Sequence, residues 1–75
     1  MSYRNIFSQR LAELRKQYGL SLAALGNTLS VTDEAIRLLE KAKRSPSFEI
    51  LCALADYFDV SLDYLVGRSD DPVRR

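Results

Sequence analysis

Apolar residues recur at helical spacing along nearly the whole chain, and no stretch shows the strict alternation with β-branched enrichment that a strand requires. An all-α fold is therefore expected. Ile6, Phe7, Leu11 and Leu14 form one stripe and predict a first helix from about Ile6 to Tyr18, ended by Gly19. Ser21 is suited to cap a short second helix, Leu22–Leu29, with Leu25 and Leu29 on one side. Thr32 can cap a third helix running through Ile36 and Leu39 to about Lys41. Pro46 interrupts the pattern, and Ser47 then caps a fourth helix, Phe48–Phe58, with Phe48, Leu51, Leu54, Ala55 and Phe58 expected to face inward. Ser61 caps a short fifth helix holding Leu62 and Leu65, and Gly67 stops it.

Only the tripeptide Ser30-Val31-Thr32 separates the second helix from the third, and Val31 is an aliphatic inside that turn. Two short helices joined so tightly form the helix-turn-helix pattern. The chain divides into an N-terminal arm, residues 1–5, a helical domain, 6–67, with the helix-turn-helix at 21–41, and a polar C-terminal tail, 68–75, expected to be mobile.

A chain of 75 residues has room for one core. With 47% hydrophobic and 28% charged residues it has the balance of an ordinary soluble globular domain. No apolar run is long enough for a membrane span, and neither a signal nor a transit peptide is readable, so a cytoplasmic location without a membrane partner is expected. One cysteine and no histidine exclude an internal disulfide, the commonest metal sites and histidine-based catalysis. No nucleophile stands with a base and no glycine-rich loop could cradle a phosphate, so no enzyme, cofactor, metal or small-molecule ligand is expected. Cys52, in an apolar helical stretch with Asp56 one turn away, reads as a packed small hydrophobe. The net charge of +1 says little, but its distribution says more. Through Arg44 there are eight basic and four acidic residues, and from Ser45 onward three basic and six acidic. Such a chain could turn one face to phosphates, although solvated helix faces would give the same counts.

The stretch from Arg10 to Gly67 resembles the phage Cro/repressor type of helix-turn-helix transcriptional regulators, the xenobiotic-response-element family. The resemblance rests on Leu14-Arg15 followed by Gly19-Leu20-Ser21, the turn aliphatic Val31, and Ile36 and Leu39 with Glu40 directly after. It continues through the loop Lys43-Arg44-Ser45-Pro46-Ser47 and the run from Ala53 to Gly67. It implies a compact five-helix, lambda-repressor-like DNA-binding domain whose third helix lies in the major groove while the second braces it across the backbone. It further implies a sequence-specific regulator of bacterial or phage type, a repressor that binds a palindromic operator in double-stranded DNA as a homodimer. Tyr57, Phe58, Val60, Tyr64, Leu65 and Val66 are the apolar reserve for such an interface. An Arg15–Glu40 ion pair is also implied, either on the surface or partly buried.

With Ile36 and Leu39 inward, helical spacing turns Asp33, Glu34, Arg37, Leu38 and Lys41 outward. Asp33, Glu34, Arg37 and Leu38 are the candidate base-facing residues. In the family, the positions matching Asp33, Glu34 and Leu38 usually read bases through amides, hydroxyls or basic groups; here two are acids and one is aliphatic. The acids could accept from the cytosine amine, and Leu38 could touch a thymine methyl. Alternatively, the acids stabilise the start of the helix and pair with Arg37. Ser21, Leu22 and Thr32, at the starts of the two helices, and Lys41, Lys43 and Arg44, around the following loop, are the candidate phosphate-facing residues. Leu22 departs from the glutamine common in the family, Gly26 from its alanine, and Ser30 and Ala42 from its glycines. The competing reading is a protein-interaction module, antirepressor-like or partner-bound, in which the third helix has exchanged DNA for a protein surface.

Overall fold

Local capping sets the helix boundaries in the computed structural model, which describes residues 2–74; Met1 of the expected arm and Arg75 of the expected tail lie outside them. Five helices occur among the described residues: α1 (Tyr3–Gln17), α2 (Leu22–Leu29), α3 (Asp33–Glu40), α4 (Phe48–Phe58) and α5 (Leu62–Val66). Each starts at a serine or threonine in extended backbone whose hydroxyl accepts a first-turn N–H: Ser2, Ser21, Thr32, Ser47 and Ser61. The first of these corrects the expected arm. Ser2 Oγ accepts from the N–H groups of Arg4 and Asn5, so α1 begins at Tyr3 rather than near Ile6. The cap, and not the first apolar residue, marks the helix start.

One core joins all five helices. Leu11 of α1, Leu25 of α2, Ile36 of α3, Leu54 of α4 and Leu65 of α5 are each wholly buried, with Phe7 and Phe58 packed beside them. α1 lies against α3 and α5, α2 against α3 and α4, and α4 against α5. The helix-turn-helix is thus backed by α1 on one side and α4 on another. Phe48 was expected in this core and is instead 75% exposed. It directly follows the Ser47 cap, so it sits at the open end of α4, where Ile50 and Leu51 complete the packing. Cys52 is a free thiol and only half-buried, outside the core cluster.

The segment after Gly67 folds back on the domain instead of extending from it. The N–H groups of Arg68 and Ser69 both donate to the carbonyl of Asp63, and the Ser61 N–H donates to the carbonyl of Pro72 at 3.0 Å. Arg10 of α1 fastens the turn. Its guanidinium donates to the carbonyls of Tyr64 and Ser69, pairs with Asp70 at 2.7 Å, and stacks 4.1 Å above the Tyr64 ring. Arg74 closes the far end by pairing with Asp56 and Asp59 of the α4 end. A composition-based reading misses this because the ties made by Arg10 and Arg74 reach partners distant in sequence.

Arg10→Ala is expected to release residues 68–74 while the five helices persist. Hydrogen exchange at the Ser61 amide should accelerate by at least about tenfold relative to the amide of Leu65, a change readable by NMR.

Candidate nucleic-acid interface

The relation of α2 to α3 is set by backbone contact. Ser30 ends α2 in the left-handed conformation, φ 60° and ψ 39°, and the Val31 N–H returns to the Gly26 carbonyl at 2.8 Å. A Cβ on Gly26 would lie 2.8 Å from the Val31 oxygen and 3.1 Å from the Thr32 carbonyl carbon, both backbone atoms that cannot swing aside. The glycine lets the turn fold flat against α2. Its helix-propensity cost, about 1 kcal/mol relative to alanine, is offset by that approach. Ala42 repeats the device after α3, at φ 59°, with the N–H groups of Ala42 and Lys43 donating to the carbonyls of Leu39 and Leu38. Both left-handed positions are filled by residues with a Cβ, at a cost of about 1 kcal/mol each.

Two polar ties fasten α3 to α1. Arg15 donates through Nε and Nη2 to the two carboxylate oxygens of Glu40, at 2.5 and 3.0 Å, and through Nη1 to the carbonyl of Leu20 at 2.9 Å. The side chains are 14% and 12% exposed, so the pair is largely buried. The hydrogen bonds to Glu40 raise the Arg15 pKa further above its already high ordinary value, so the guanidinium stays charged. The second tie, Ser8, is the only buried polar residue among the described residues, and its hydroxyl donates to the Leu39 carbonyl at 2.5 Å. No sequence signal marks it: a serine inside an amphipathic helix reads as surface.

The outward face of α3 divides into committed and uncommitted groups. Asp33 and Glu34 are exposed, Arg37 and Leu38 half-buried, and Lys41 exposed. Asp33 turns its carboxylate back to accept from the Glu34 N–H at 2.9 Å, while Thr32 Oγ1 accepts from Ala35 N–H at 3.0 Å. Two of α3's first-turn donors are thus already satisfied. At the start of α2, by contrast, Ser21 satisfies Ala24 N–H alone, no acid stands in the first turn, and the N–H groups of Leu22 and Ala23 have no helical acceptor. Glu34 and Arg37 form a two-pronged pair, Arg37 Nε to Oε1 at 2.8 Å and Nη2 to Oε2 at 2.5 Å. This holds the Glu34 carboxyl below its ordinary pKa, so the pair persists below the pH at which an isolated glutamate takes up a proton.

The α3–α4 loop stands next to this face. A cleft of about 230 Å³ is walled by Val31, Ala35 and Leu39 on one side and by residues 44–47 with Ile50 on the other. Arg4 of α1 donates from Nε to Ser45 Oγ at 3.0 Å and steadies the loop from behind. Arg4, within the expected N-terminal arm of residues 1–5, is thus part of α1 and tied to the loop. Lys41, Lys43 and Arg44 are exposed and make no ion pair among the described residues. Their charge is uncompensated locally.

An all-helical domain in which two short helices meet at a three-residue turn, with the outer face of the second left open, is a helix-turn-helix protein. A family model described as helix-turn-helix matches residues 11–65. Two regulators from Bacillus subtilis (strain 168) are similar. The HTH-type transcriptional regulator AnsR is 41% identical over 79% of this chain and 51% of its own length, and the uncharacterized HTH-type transcriptional regulator YobD is 33% identical over 89% and 60%. The chain therefore spans between half and three fifths of these curated relatives. Among solved structures, the P22 c2 repressor in complex with a synthetic operator overlays with a TM-score of 0.75 at 33% identity, covering 80% of this chain and 91% of that one. The chain belongs to the Cro/repressor-type helix-turn-helix family of transcriptional regulators, with the lambda-repressor-like fold. No helix among the described residues is long and apolar enough to cross a membrane.

Glu40→Gln keeps the shape of the tie but removes its charge, and leaves the Arg15 guanidinium largely buried opposite a neutral amide. The folded state should lose on the order of 2 kcal/mol in urea unfolding at neutral pH. A loss within 0.5 kcal/mol or so, the range of an exposed pair, would show that α3 does not depend on it.

Proposed function

We propose that this chain docks on double-stranded DNA through the outer face of α3 and, as a homodimer on a palindromic operator, represses transcription by occluding a promoter. The observation that carries this reading is the shared architecture, at 33% identity, with a repressor solved on its operator. The local chemistry supports it. The open N–H groups at the start of α2, with the Ser21 hydroxyl and Leu22 backbone, suit one phosphate, and the Thr32 hydroxyl retains a proton to donate to another. Lys41, Lys43 and Arg44 supply charge beside the groove. The chain's acidic excess lies after Ser45, much of it in α4, α5 and the tail.

The candidates for base contact are Asp33, Glu34, Arg37 and Leu38. Leu38, half-buried at the edge of the face, offers a methyl surface to thymine, whereas Asp33 is occupied at the helix start and serves α3 more than the groove. Of the apolar reserve near the C-terminus, Phe58, Val60 and Leu65 are committed to the monomer core, Tyr64 and Val66 are half-buried, and Tyr57 remains exposed for a subunit contact, to which the exposed Leu62, outside that reserve, could add. Two-fold pairing of such subunits would set two α3 helices about 34 Å apart, one turn of B-DNA.

Fluorescence anisotropy with duplexes from the region upstream of the gene tests this reading. Affinity should fall steeply between about 50 and 200 mM salt, and Lys43→Ala combined with Arg44→Ala should flatten the log–log slope by roughly 2. Failure to bind any duplex at the lower salt, with a protein partner recovered instead, would overturn it in favour of an interaction module.

A further inference from the structure

The position of one acid at the middle of the outward face of α3 is unfavourable for a surface that meets phosphates, unless that acid has another task. Taking Ile36 and Leu39 as the inward direction, the helical period puts Glu34 and Lys41 at the centre of the opposite face, with Arg37 and Leu38 on its flanks. Glu34 does not stand alone there. Both of its oxygens are engaged by Arg37, at 2.8 and 2.5 Å, and the two charges cancel.

Which edge of the guanidinium is used matters. Arginine carries five N–H donors in a planar fork. Glu34 takes the side edge, Nε and one hydrogen of Nη2, and leaves both hydrogens of Nη1 and the second hydrogen of Nη2. The free end edge has the spacing and orientation that match O6 and N7 of guanine in the major groove. A long arginine side chain ordinarily loses rotamer freedom when it engages a base; one already held as a flat plate by a neighbouring carboxylate has lost it beforehand. The same carboxylate prevents the plate from rotating toward a phosphate.

We propose that Arg37 is the principal base reader of this domain, specifying a guanine through its Nη1–Nη2 edge, and that Glu34 is a positioning residue that buttresses Arg37 rather than a reader of bases. This rests on the DNA-docking reading given above. It accounts for an acid at the centre of the face: Glu34 contributes orientation, and Arg37 neutralises it. It also assigns different consequences to the two residues, because loss of the reader removes the guanine preference and loss of the buttress loosens it.

The test selects preferred duplexes from a randomised library with the purified chain, then measures each variant on the selected duplex and on single-base replacements. The wild-type chain should select at least one invariant guanine, and 7-deazaguanine there, which lacks the N7 acceptor, should weaken binding by about tenfold. In Arg37→Lys, which keeps the charge but not the fork, the preference for guanine over adenine at that position should fall by about tenfold. Glu34→Ala should lower the same preference by roughly threefold and leave the preferences at other positions intact. Three results would overturn the assignment: no guanine is selected; Arg37→Lys weakens all duplexes in proportion, as loss of a phosphate contact does; or Glu34→Ala tightens binding everywhere with the guanine preference unchanged, as removal of a simple repulsion does. Failure of the underlying DNA-docking reading is separate and visible earlier, since the wild-type chain would then retain no duplex even at low salt.

Discussion

The contact between Gly26 and the backbone of the turn governs how this small domain presents α3. Helix pairs are commonly spaced by side chains, which adjust. Here the Val31 carbonyl oxygen would lie only 2.8 Å from the first side-chain atom of any other residue at position 26, so the distance between α2 and the turn is set by main chain. A fixed turn fixes where α3 begins, and the eight residues of α3 are too few to hold an orientation by their own hydrogen bonds. The buried side chains of Leu25, Ile36 and Leu39 then seat the pair on one core, and Ser8 and Arg15 lock the far end of α3 to α1.

Two ion pairs on α3 of similar geometry have different consequences because of where they sit. Arg15–Glu40 is shielded from water on nearly all sides, so removing either partner would leave the other buried without its counter-charge. Glu34–Arg37 is open to solvent, with side chains 58% and 42% exposed, and contributes little to stability. Its effect is on the face itself, where it neutralises an acid and flattens an arginine. Lys41, Lys43 and Arg44, which make no ion pair among the described residues, follow along the chain and place positive charge at the C-terminal end of α3 and in its loop. This separation of neutral centre from charged margin suits a surface that orients on phosphates by charge and discriminates by shape and hydrogen bonding.

Most of the helical frame was legible because its signals are local. Caps at Ser21, Thr32, Ser47 and Ser61, the glycines at 19 and 67 and the spacing of the core residues act within one helical turn, and sequence reading finds them. The pairing of Arg15 with Glu40 was legible through family likeness, and its depth only through the structure. Features that depend on contacts across the chain were not legible. Ser8 looks like a surface residue, Arg10 like a solvated cation, and residues 68–74 like a loose tail, yet Ser8 bonds to Leu39 and Arg10 ties α1 to that tail across most of the chain. Asp59, which ends α4 at φ 55° without being a glycine, likewise left no trace. On the outward face of α3, the candidates Asp33, Glu34, Arg37 and Leu38 were all identifiable from helical periodicity. Their division into a helix-start acid, a paired acid and arginine, and a flanking leucine required side-chain geometry.

If the frame presents α3 and its neighbouring loop to a DNA duplex, as proposed, the backbone amides of the labelled chain, followed by NMR while a selected duplex is added, should shift at the start of α2, along α3 and in residues 41–47, with α1 beyond Arg4 and the folded-back segment 68–74 nearly unmoved. Shifts confined to α5 and residues 68–74, or none on α3, would contradict it.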